Sequence, residues 1–509
     1  MLQRALLCAA SSAGRIGQRG GARPIAMHAP FDYDVIVIGG GAAGLFSGIT
    51  AARAAASVLV LESGSQPLRK VRISGGGRCN VMHDHGTWDP RGGRELLLQR
   101  YPRGAPQLTG SLTKRFSPPE TAAWFEAEGV ALKREEDGRV FPTTDDSGTV
   151  VDALLGAASR AGVELRLGSK VVAVERLGGG ANDGFAVSVV ERGKGSAATA
   201  VRCCSIILAT GSASHNLASE LGHEITPLIP SLFSFRLCGA GILDASLAGI
   251  SVQDAQLTLV PSETVADGAK AGSQGKGKGG GKGGGRGVKG GVTTRGPVLV
   301  THRGISGPAA LKLSAFGARE LAACRYRGTL HLNLVPEMSR SEVSEAMGSF
   351  RVRMPAKAVA NANPFGLPKR LWAAVVAGPS DAAGGATDSA GGSGGNAADA
   401  AHAVDPSRPW GQLSKADMRA LEERTCRAAL PFSGKDSNKD EFVTCGGVSW
   451  SAVDSTRMQS KHVDGVFFAG ELLDVDGVTG GHNFQSCWTT GHVAGMAAAE
   501  HAGRGAPSS

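Results

Sequence analysis

Three glycines carry the clearest chemical signal in this sequence. Gly39, Gly41 and Gly44 are spaced as G-x-G-x-x-G. In this motif the first glycine allows a tight turn, the second lets the backbone approach a pyrophosphate, and the third lets a helix pack closely on a strand. Glu62 follows about 20 residues later, where a carboxylate can accept hydrogen bonds from ribose hydroxyls. The spacing therefore predicts a dinucleotide-binding site.

The segments around this motif are the ones that it requires. The apolar run 35–38 predicts a buried parallel strand, and the run 58–61 predicts a second strand that ends at Glu62. The Ala-rich segment between them predicts a helix that ends near Ala56. Because 75 of 509 residues are glycine, a glycine turn that binds nothing is the alternative. The order of strand, glycine motif, helix, strand and acid favours dinucleotide binding.

A second glycine-rich loop follows at 68–80, with the sequence LRKVRISGGGRCN. The loop contains cations and a triple glycine, and Arg78-Cys79-Asn80 closes it. This composition predicts a concavity of backbone N–H groups that binds an anion. A flexible glycine turn is the alternative.

Two later segments predict further contact with a dinucleotide at the carboxyl edge of a parallel sheet. The run 205–211 predicts a strand that ends in Ala-Thr-Gly, and 466–471 predicts one that ends in Gly-Glu. The pair Gly480-Gly481 precedes a predicted helix that runs to about His501. The N–H groups at such a helix start can stabilise negative charge that develops on a ring.

The net charge of +9 does not indicate a basic binding surface. Residues 1–31 carry four arginines and no acid, and the Gly/Lys tract 268–291 carries six cations and no acid, which leaves −1 for the remainder. The nine cysteines show no C-x-x-C pair and no metal-ligand spacing, so we expect reduced thiols and no metal site. No apolar run reaches the roughly 18 residues of a membrane span. The expected partner is a small-molecule substrate; a membrane is not expected, and nucleic acid is disfavoured.

Residues 1–28 contain arginine, serine and alanine but no acid, which predicts an organellar transit peptide of a plastid or a mitochondrion. An ordinary disordered extension is the alternative. Further along, short alternating runs in 227–260 predict an antiparallel β-domain, and a strand, a turn and a helix resume at 298–308. His302 in that turn is a candidate acid or base on the substrate side, although a hydrogen-bonded structural histidine is the favoured interpretation.

Three stretches together resemble one family, the YhiN/BaiN-like FAD-dependent oxidoreductases. They are IGGGAAGL with its downstream glutamate, SGGGRCN at 74–80, and the segment 445–491; THRGISGP at 301–308 also fits. The resemblance implies an α/β fold with a Rossmann-type, glutathione-reductase-like FAD-binding domain built from both chain ends, a β-barrel-like insertion and a small helical domain. The implied boundaries are 29–225 and 445–505 for the FAD-binding domain, 226–338 and 428–444 for the barrel-like domain with a disordered loop at 266–292, and 339–427 for the helical domain with a low-complexity loop at 378–402.

The resemblance also implies which residues surround FAD. The glycine motif would hold the pyrophosphate, Glu62 the adenosine ribose, and the backbone at Val172 the adenine, while Glu471 and Asp474 would lie near the ribityl chain and the ring. His302 and Asn483 are the candidates for catalysis. The implied cofactor set is Gly39, Gly41, Ala42, Ala43, Gly44, Glu62, Ser63, Arg69, Lys70, Gly76, Gly77, Arg78, Cys79, Asn80, Val172, Thr210, Gly211, Gly470, Glu471, Asp474, Gly480, Gly481, His482 and Asn483.

The family implies oxidoreductase chemistry and leaves the substrate open. The leading hypothesis is hydride transfer between flavin N5 and a small organic substrate, such as NAD(P)H-linked reduction of a conjugated double bond. The alternatives are an amine-type oxidase that uses oxygen, and an RNA-associated flavoprotein recruited by the basic Gly/Lys loop. The absence of a C-x-x-x-x-C pair disfavours a disulfide reductase. No second G-x-G-x-x-G accompanies the first, so NAD(P)H is expected only as a transient donor, and a protein donor is the other option.

Overall fold

The computed structural model describes residues 31–84, 93–178, 184–193, 197–239, 241–261, 291–379, 402–436 and 443–503. The leader at 1–28 and most of both low-complexity loops lie outside these ranges. Within them, no helix combines the length and the apolar character that crossing a membrane requires.

The helices and strands follow one another as a mixed α/β chain. The strands are β1 (Tyr33–Ile38), β2 (Val58–Leu61), β3 (Met82–His83), β4 (Leu132–Arg134), β5 (Arg139–Pro142), β6 (Glu164–Arg166), β7 (Ser169–Arg176), β8 (Phe185–Glu191), β9 (Thr199–Leu208), β10 (Ile225–Ser231), β11 (Ser234–Leu237), β12 (Ser251–Pro261), β13 (Thr293–Val300), β14 (Gly304–Ser306), β15 (Gly328–Asn333), β16 (Ala428–Asp436), β17 (Val443–Val448), β18 (Val453–Asp454), β19 (Gln459–Ser460) and β20 (Val466–Phe468). The helices are α1 (Ala42–Arg53), α2 (Arg69–Ile73), α3 (Gly93–Arg100), α4 (Ala105–Lys114), α5 (Pro118–Ala127), α6 (Ser147–Arg160), α7 (Asn216–Glu220), α8 (Pro308–Phe316), α9 (Ala318–Ala323), α10 (Arg340–Arg353), α11 (Lys369–Ala377), α12 (Lys415–Arg427) and α13 (His482–His501).

The first body of the fold is a nine-stranded sheet with the order β18-β19-β20-β9-β1-β2-β6, to which β7 and β8 are attached. The central strands β20, β9, β1, β2 and β6 are parallel, with Val35 opposite Val58 and Ile38 opposite Leu208. Buried β-branched residues favour such strands because helices cover both faces of a parallel sheet. The predicted strands at 35–38, 58–61, 205–208 and 466–468 are confirmed.

Helices α1 and α13 cross with their backbones nearly in contact. A Cβ atom added at Gly491 would lie 2.7 Å from the carbonyl oxygen of Ala43, and one added at Gly495 would lie 2.4 Å from that of Ser47. Only glycine fits at these two positions of α13 without moving α1. The carboxyl-terminal helix therefore packs directly on the helix that begins at the glycine motif.

The second body is a closed six-stranded barrel with the order β11-β14-β13-β12-β15-β16, as the resemblance implied. Its strands alternate between inward and outward side chains, so that Leu257 and Leu259 of β12 are buried between partly exposed neighbours. Helices α10, α11 and α12 pack beside the barrel. Trp372 and Trp410 stack there with ring centroids 6.3 Å apart.

Two hydrophobic cores correspond to these bodies. The first contains β1, α1, β9 and α13, while the second joins the barrel interior with the helical residues, including Trp372 and Trp410. Barrel and helices therefore share one core. The domain boundaries given above stay a prediction.

A buried ion pair connects the two bodies. The Arg103 guanidinium binds both carboxylate oxygens of Asp476 and donates to the carbonyl oxygen of Ala315 at 2.9 Å. The Ser231 hydroxyl donates to the same carboxylate at 2.8 Å. Arg103 and Asp476 lie in loops of the body that contains the nine-stranded sheet. Ala315 lies on α8, and Ser231 ends β10 just before the barrel strand β11. This cluster therefore fixes the junction.

Acidification is expected to weaken the barrel through His331 on β15. Burial and the nearby Arg427 charge lower the pKa of His331 from 6.5 to about 4. The unfolded chain then binds more protons, so the free energy of unfolding falls as the pH drops from about 6.5 to about 4. We expect about 1 kcal/mol to be lost through this partly exposed group. Urea titrations at both ends of this window measure the loss, which should shrink in His331→Asn and persist in His302→Asn, at an exposed control position. An unchanged pH dependence in His331→Asn would contradict the assignment.

Candidate functional site

A cleft of about 760 Å³ lies at the carboxyl ends of β1, β2, β9 and β20. This edge is where an open parallel sheet binds its ligand. The cleft brings together twelve of the residues implied from the sequence: Gly39, Gly41, Ala42, Ala43, Glu62, Ser63, Arg69, Lys70, Val172, Thr210, Gly211 and Glu471.

The three motif glycines have different structural roles. A Cβ atom at Gly39, where φ is +114°, would lie 2.4 Å from the carbonyl oxygen of Ala209, and one at Gly44 would lie 1.8 Å from that of Gly39. Strand and helix packing therefore excludes a side chain at these two positions. A Cβ atom at Gly41 would meet no protein atom within 4 Å. Since Gly41 lines the cleft, its lack of a side chain fits a ligand that approaches the backbone.

The start of α1 offers hydrogen-bond donors to this ligand. Gly41 is the N-cap and supplies no side-chain cap, and the first turn contains no acid. The backbone N–H groups of that turn and the positive end of the helix dipole are therefore available to an anion beside Ala42 and Ala43. A pyrophosphate fits this position in charge and in hydrogen-bond pattern.

Glu62 is held at the end of β2 by two backbone groups. Its Oε2 accepts from the N–H of Gly40 at 2.7 Å, and its Oε1 accepts from the N–H of Gly64 at 2.6 Å. Oε1 also accepts from the Ser63 hydroxyl at 3.4 Å, and Oε2 keeps a further lone pair for a hydroxyl group of a ligand. The fixed orientation agrees with recognition of a ribose.

An ion pair spans the cleft between Lys70 of α2 and Glu471, which follows β20. The Lys70 amine also donates to the Ser212 hydroxyl at 3.4 Å. Both charged groups are thus positioned over the same opening, where hydroxyl or phosphate groups of a ligand can meet them.

The SGGGRCN loop lies beside the cleft and does not line it. Arg78 binds Glu135 at 2.6 Å and Asp145 at 2.7 Å, and it lies 4.0 Å above the ring of Phe141. Its charge is therefore neutralised by the protein. Asn80 is oriented by its hydrogen-bond network so that its side-chain oxygen accepts from the N–H of Gly481 at 3.0 Å. The loop supports the start of α13, and its predicted contact with a cofactor stays a prediction.

The turn before α13 is tightly held. Asn483 accepts from the N–H of Gly477 at 2.7 Å and donates to its carbonyl oxygen at 2.9 Å. The Tyr101 hydroxyl donates to the carbonyl oxygen of His482 at 2.7 Å, and the ring of His482 stacks on His83 at 4.7 Å. The side chain of Asn483, a candidate for catalysis, is therefore engaged in shaping this turn. The implied residues that the structure leaves outside the cleft lining are Gly44, Gly76, Gly77, Arg78, Cys79, Asn80, Gly470, Asp474, Gly480, Gly481, His482 and Asn483.

His302 lies elsewhere. It lines a cavity of about 540 Å³ on the barrel, together with Arg236, Asp244 and Arg303, and this cavity shares no lining residue with the cleft. The structure does not bring His302 to the implied cofactor residues.

Sequence reasoning missed part of the cleft wall. Phe484 and Cys487 project into it from α13, and Asn216 and Glu220 border it from α7. Phe484 and Cys487 are three residues apart on one face of α13. Because Gly480-Gly481 marks the start of this helix, their spacing could have identified both residues from the sequence. No local pattern distinguishes the residues of α7.

The comparisons with known proteins agree with this geometry. A family model described as HI0933-like protein Rossmann domain matches residues 33–497. The chain is similar to the ribosomal RNA dihydrouridine synthase of Escherichia coli strain K12, with 24% identity over 479 residues that cover 90% of this chain and 96% of the relative. It is also similar to the 3-dehydro-bile acid delta(4,6)-reductase of Clostridium scindens, with 24% identity over 473 residues that cover 91% and 98%.

Among solved structures, the 3-ketosteroid-delta4-(5alpha)-dehydrogenase of Rhodococcus jostii RHA1 matches with a TM-score of 0.47 and 16% identity, over 93% of this chain and 98% of that one. The family model covers most of the chain, including the glycine motif and α13. The chain therefore belongs to the HI0933-like family, that of the YhiN/BaiN-like oxidoreductases, and is an FAD-dependent oxidoreductase.

Proposed function

We propose that this protein is a reductase in which bound FAD supplies a hydride to a carbon–carbon double bond conjugated to a carbonyl group of a small organic substrate. The activities for which the two relatives are named support this choice. A dihydrouridine synthase and a delta(4,6)-reductase of a 3-dehydro acid both saturate such a bond. Their shared chemistry is narrower than that of flavoproteins in general.

The observation that carries the proposal is the convergence of two helices on one cleft. The start of α1 would hold the pyrophosphate at Gly41, and Glu62 would hold the ribose. Helix α13 contributes Phe484 and Cys487 to the same cleft, and the N–H groups of its first turn would stabilise negative charge on the reduced ring. The chain thereby binds and orients the cofactor and stabilises its reduced form.

NAD(P)H is the proposed electron donor, bound only transiently. The described residues provide one glycine motif of the dinucleotide type, at Gly39, and that motif belongs to the FAD cleft. A donor that binds, transfers its hydride and leaves requires no second domain of this kind.

A second candidate is reduction of uridine in RNA. Two relatives carry the name ribosomal RNA dihydrouridine synthase, each with 24% identity. The same saturation chemistry would then act on a base in RNA, and the basic Gly/Lys loop would contribute weak, salt-sensitive affinity. The small-molecule reductase remains our main proposal because the chain outside the leader and that loop carries no excess of positive charge.

Anaerobic flavin spectroscopy on the full-length protein tests the proposal. NADPH or NADH should bleach the flavin bands, and cyclohex-2-enone should restore them in the absence of oxygen. Total ribosomal RNA from an unmodified source tests the second candidate, and molecular oxygen with a primary amine tests the oxidase alternative. If oxygen reoxidises the flavin while neither the enone nor RNA does, both reductase candidates are contradicted. If RNA reoxidises the flavin and the enone does not, the second candidate is favoured.

We also propose an organellar destination for this enzyme. The support is compositional, since residues 1–28 contain four arginines and no acid. The choice between plastid and mitochondrion stays open.

A further inference from the structure

A group of basic residues surrounds the loop 474–481 that connects the Glu471 side of the cleft to α13. Arg103 binds Asp476, and Arg319 lies 3.6 Å from Asp474. These two arginines each face a carboxylate of the loop. Arg100, at the end of α3, also contacts the loop, because its carbonyl oxygen accepts from the N–H of Val478 at 2.8 Å.

Within the described ranges, the guanidinium of Arg100 has no carboxylate partner. Among the residues that the structure describes, no hydrogen bond or ion pair to this group occurs, and its Nε is buried without an acceptor. Burial lowers the pKa of Arg100, because desolvation disfavours its charged form. A partly buried arginine whose Nε has no acceptor among the described residues is suited to bind an anionic ligand.

A second cation lies near Arg100 on the other body of the fold. Lys312 lies on α8, three residues before Ala315, whose carbonyl oxygen receives the hydrogen bond of Arg103. Helix α8 therefore lies against the chain that follows α3. Burial, and next the charge of Arg100, lower the pKa of the Lys312 amine. No ion pair of Lys312 occurs within the described ranges, and its amine lies 5.9 Å from the ring centroid of Phe316. The charges of Lys312 and Arg100 therefore share a partly desolvated junction.

We propose that Arg100 and Lys312 bind an anionic group of the substrate, a phosphate or a carboxylate, at the junction between the sheet and the barrel. Two neighbouring cations without a hydrogen-bond acceptor among the described residues suit an oxyanion, which offers several lone pairs to both. The site lies next to the loop that leads into α13, so an acid held there would present the rest of its structure toward the helix start. The inference rests on the reductase proposal for the reacting part of the substrate, and it defines that substrate as an acid.

Anion binding to the full-length FAD-loaded enzyme tests this site without any turnover. Isothermal titration calorimetry with inorganic phosphate and, separately, with benzoate measures the two oxyanion types. We expect the double variant Arg100→Gln/Lys312→Gln to bind the preferred anion at least about tenfold more weakly, as the loss of charged hydrogen bonds implies. Arg100→Lys keeps the charge and should retain more of the affinity.

The matched control removes one lysine and one arginine elsewhere. Lys369 and Arg370 are exposed in the first turn of α11. The double variant Lys369→Gln/Arg370→Gln has the same change in net charge and should bind the anions as the wild type does. Equal loss in both double variants, or no loss in either, would overturn the proposal, as would a wild-type enzyme that binds neither anion. Flavin content and melting temperature show that each variant is folded.

A matched pair of substrates separates this inference from the reductase proposal. Cyclohex-2-enone and its 3-carboxylate differ by one negative charge. Loss of the preference for the carboxylate in Arg100→Gln/Lys312→Gln, through KM and not kcat, supports the site. If neither enone is reduced while anion binding still depends on Arg100 and Lys312, the reductase proposal fails and the anion site stands. If both enones are reduced alike by wild type and variant, the anion site fails and the reductase proposal stands.

Discussion

A Gly41→Val variant is expected to lose FAD binding while it keeps its fold. Gly41 has φ −78° and ψ −172°, an extended conformation that valine adopts without strain, and its side chain would meet no protein atom within 4 Å. The branched side chain would instead occupy the approach to the first turn of α1. Losing the charge-assisted hydrogen bonds there should weaken FAD binding at least about 100-fold.

The measurement is the flavin absorbance per protein chain, with the dissociation constant of the apoprotein for FAD from fluorescence quenching. Gly44→Ala serves as the contrasting control, because its Cβ atom would lie 1.8 Å from the carbonyl oxygen of Gly39. That substitution should lower the melting temperature of the apoprotein itself, whereas Gly41→Val should not. A Gly41→Val protein that retains full flavin stoichiometry would overturn the assignment of this cleft.

Removal of the Asp476 carboxylate should destabilise the protein by about 3–5 kcal/mol, the usual consequence of leaving a buried charge without its partner. Asp476 is 0% exposed, and the change to alanine would leave Arg103 buried at the junction. Urea unfolding of Asp476→Ala and wild type measures the difference. Asp254→Ala, which breaks an exposed ion pair with Arg295, is the control and should cost no more than about 1 kcal/mol.

A double replacement sharpens this experiment. Arg103→Met/Asp476→Leu removes both charges and fills the space with apolar groups, so it should recover part of the lost stability. If Asp476→Ala destabilises the protein no more than Asp254→Ala does, the junction does not depend on this ion pair. If the double variant is as unstable as Asp476→Ala, shape and not charge dominates the effect.

The dinucleotide-binding unit was predictable because its information is local. The strand at 35–38, the glycine spacing and Glu62 lie within one continuous segment, and close backbone contacts require glycine at Gly39 and Gly44. The parallel arrangement followed from apolar runs that end in glycine and acid. Closure of the barrel and the class of the fold came from the resemblance, since no local signal specifies which strands pair across long distances in the chain.

The fate of individual polar groups was less predictable because it depends on distant partners. The cation of the SGGGRCN loop, Arg78, is bound by Glu135 and Asp145, which lie more than fifty residues away in sequence. His302 lies on a separate cavity of the barrel, although its turn fits the family pattern. Spacing alone does not reveal whether a charge faces a ligand or another side chain.

The contact between α1 and α13 has a consequence for biosynthesis. Helix α1 ends at Arg53 and its partner begins at His482, so ribosomes need roughly 20–90 s to make the intervening chain at ordinary rates of translation. During that interval the glycine motif has emerged, while the wall that carries Phe484 and Cys487 does not yet exist. The cleft is therefore completed only after translation has reached α13, and a nascent chain has to keep the face of α1 that carries Ala43 and Ser47 covered until α13 arrives.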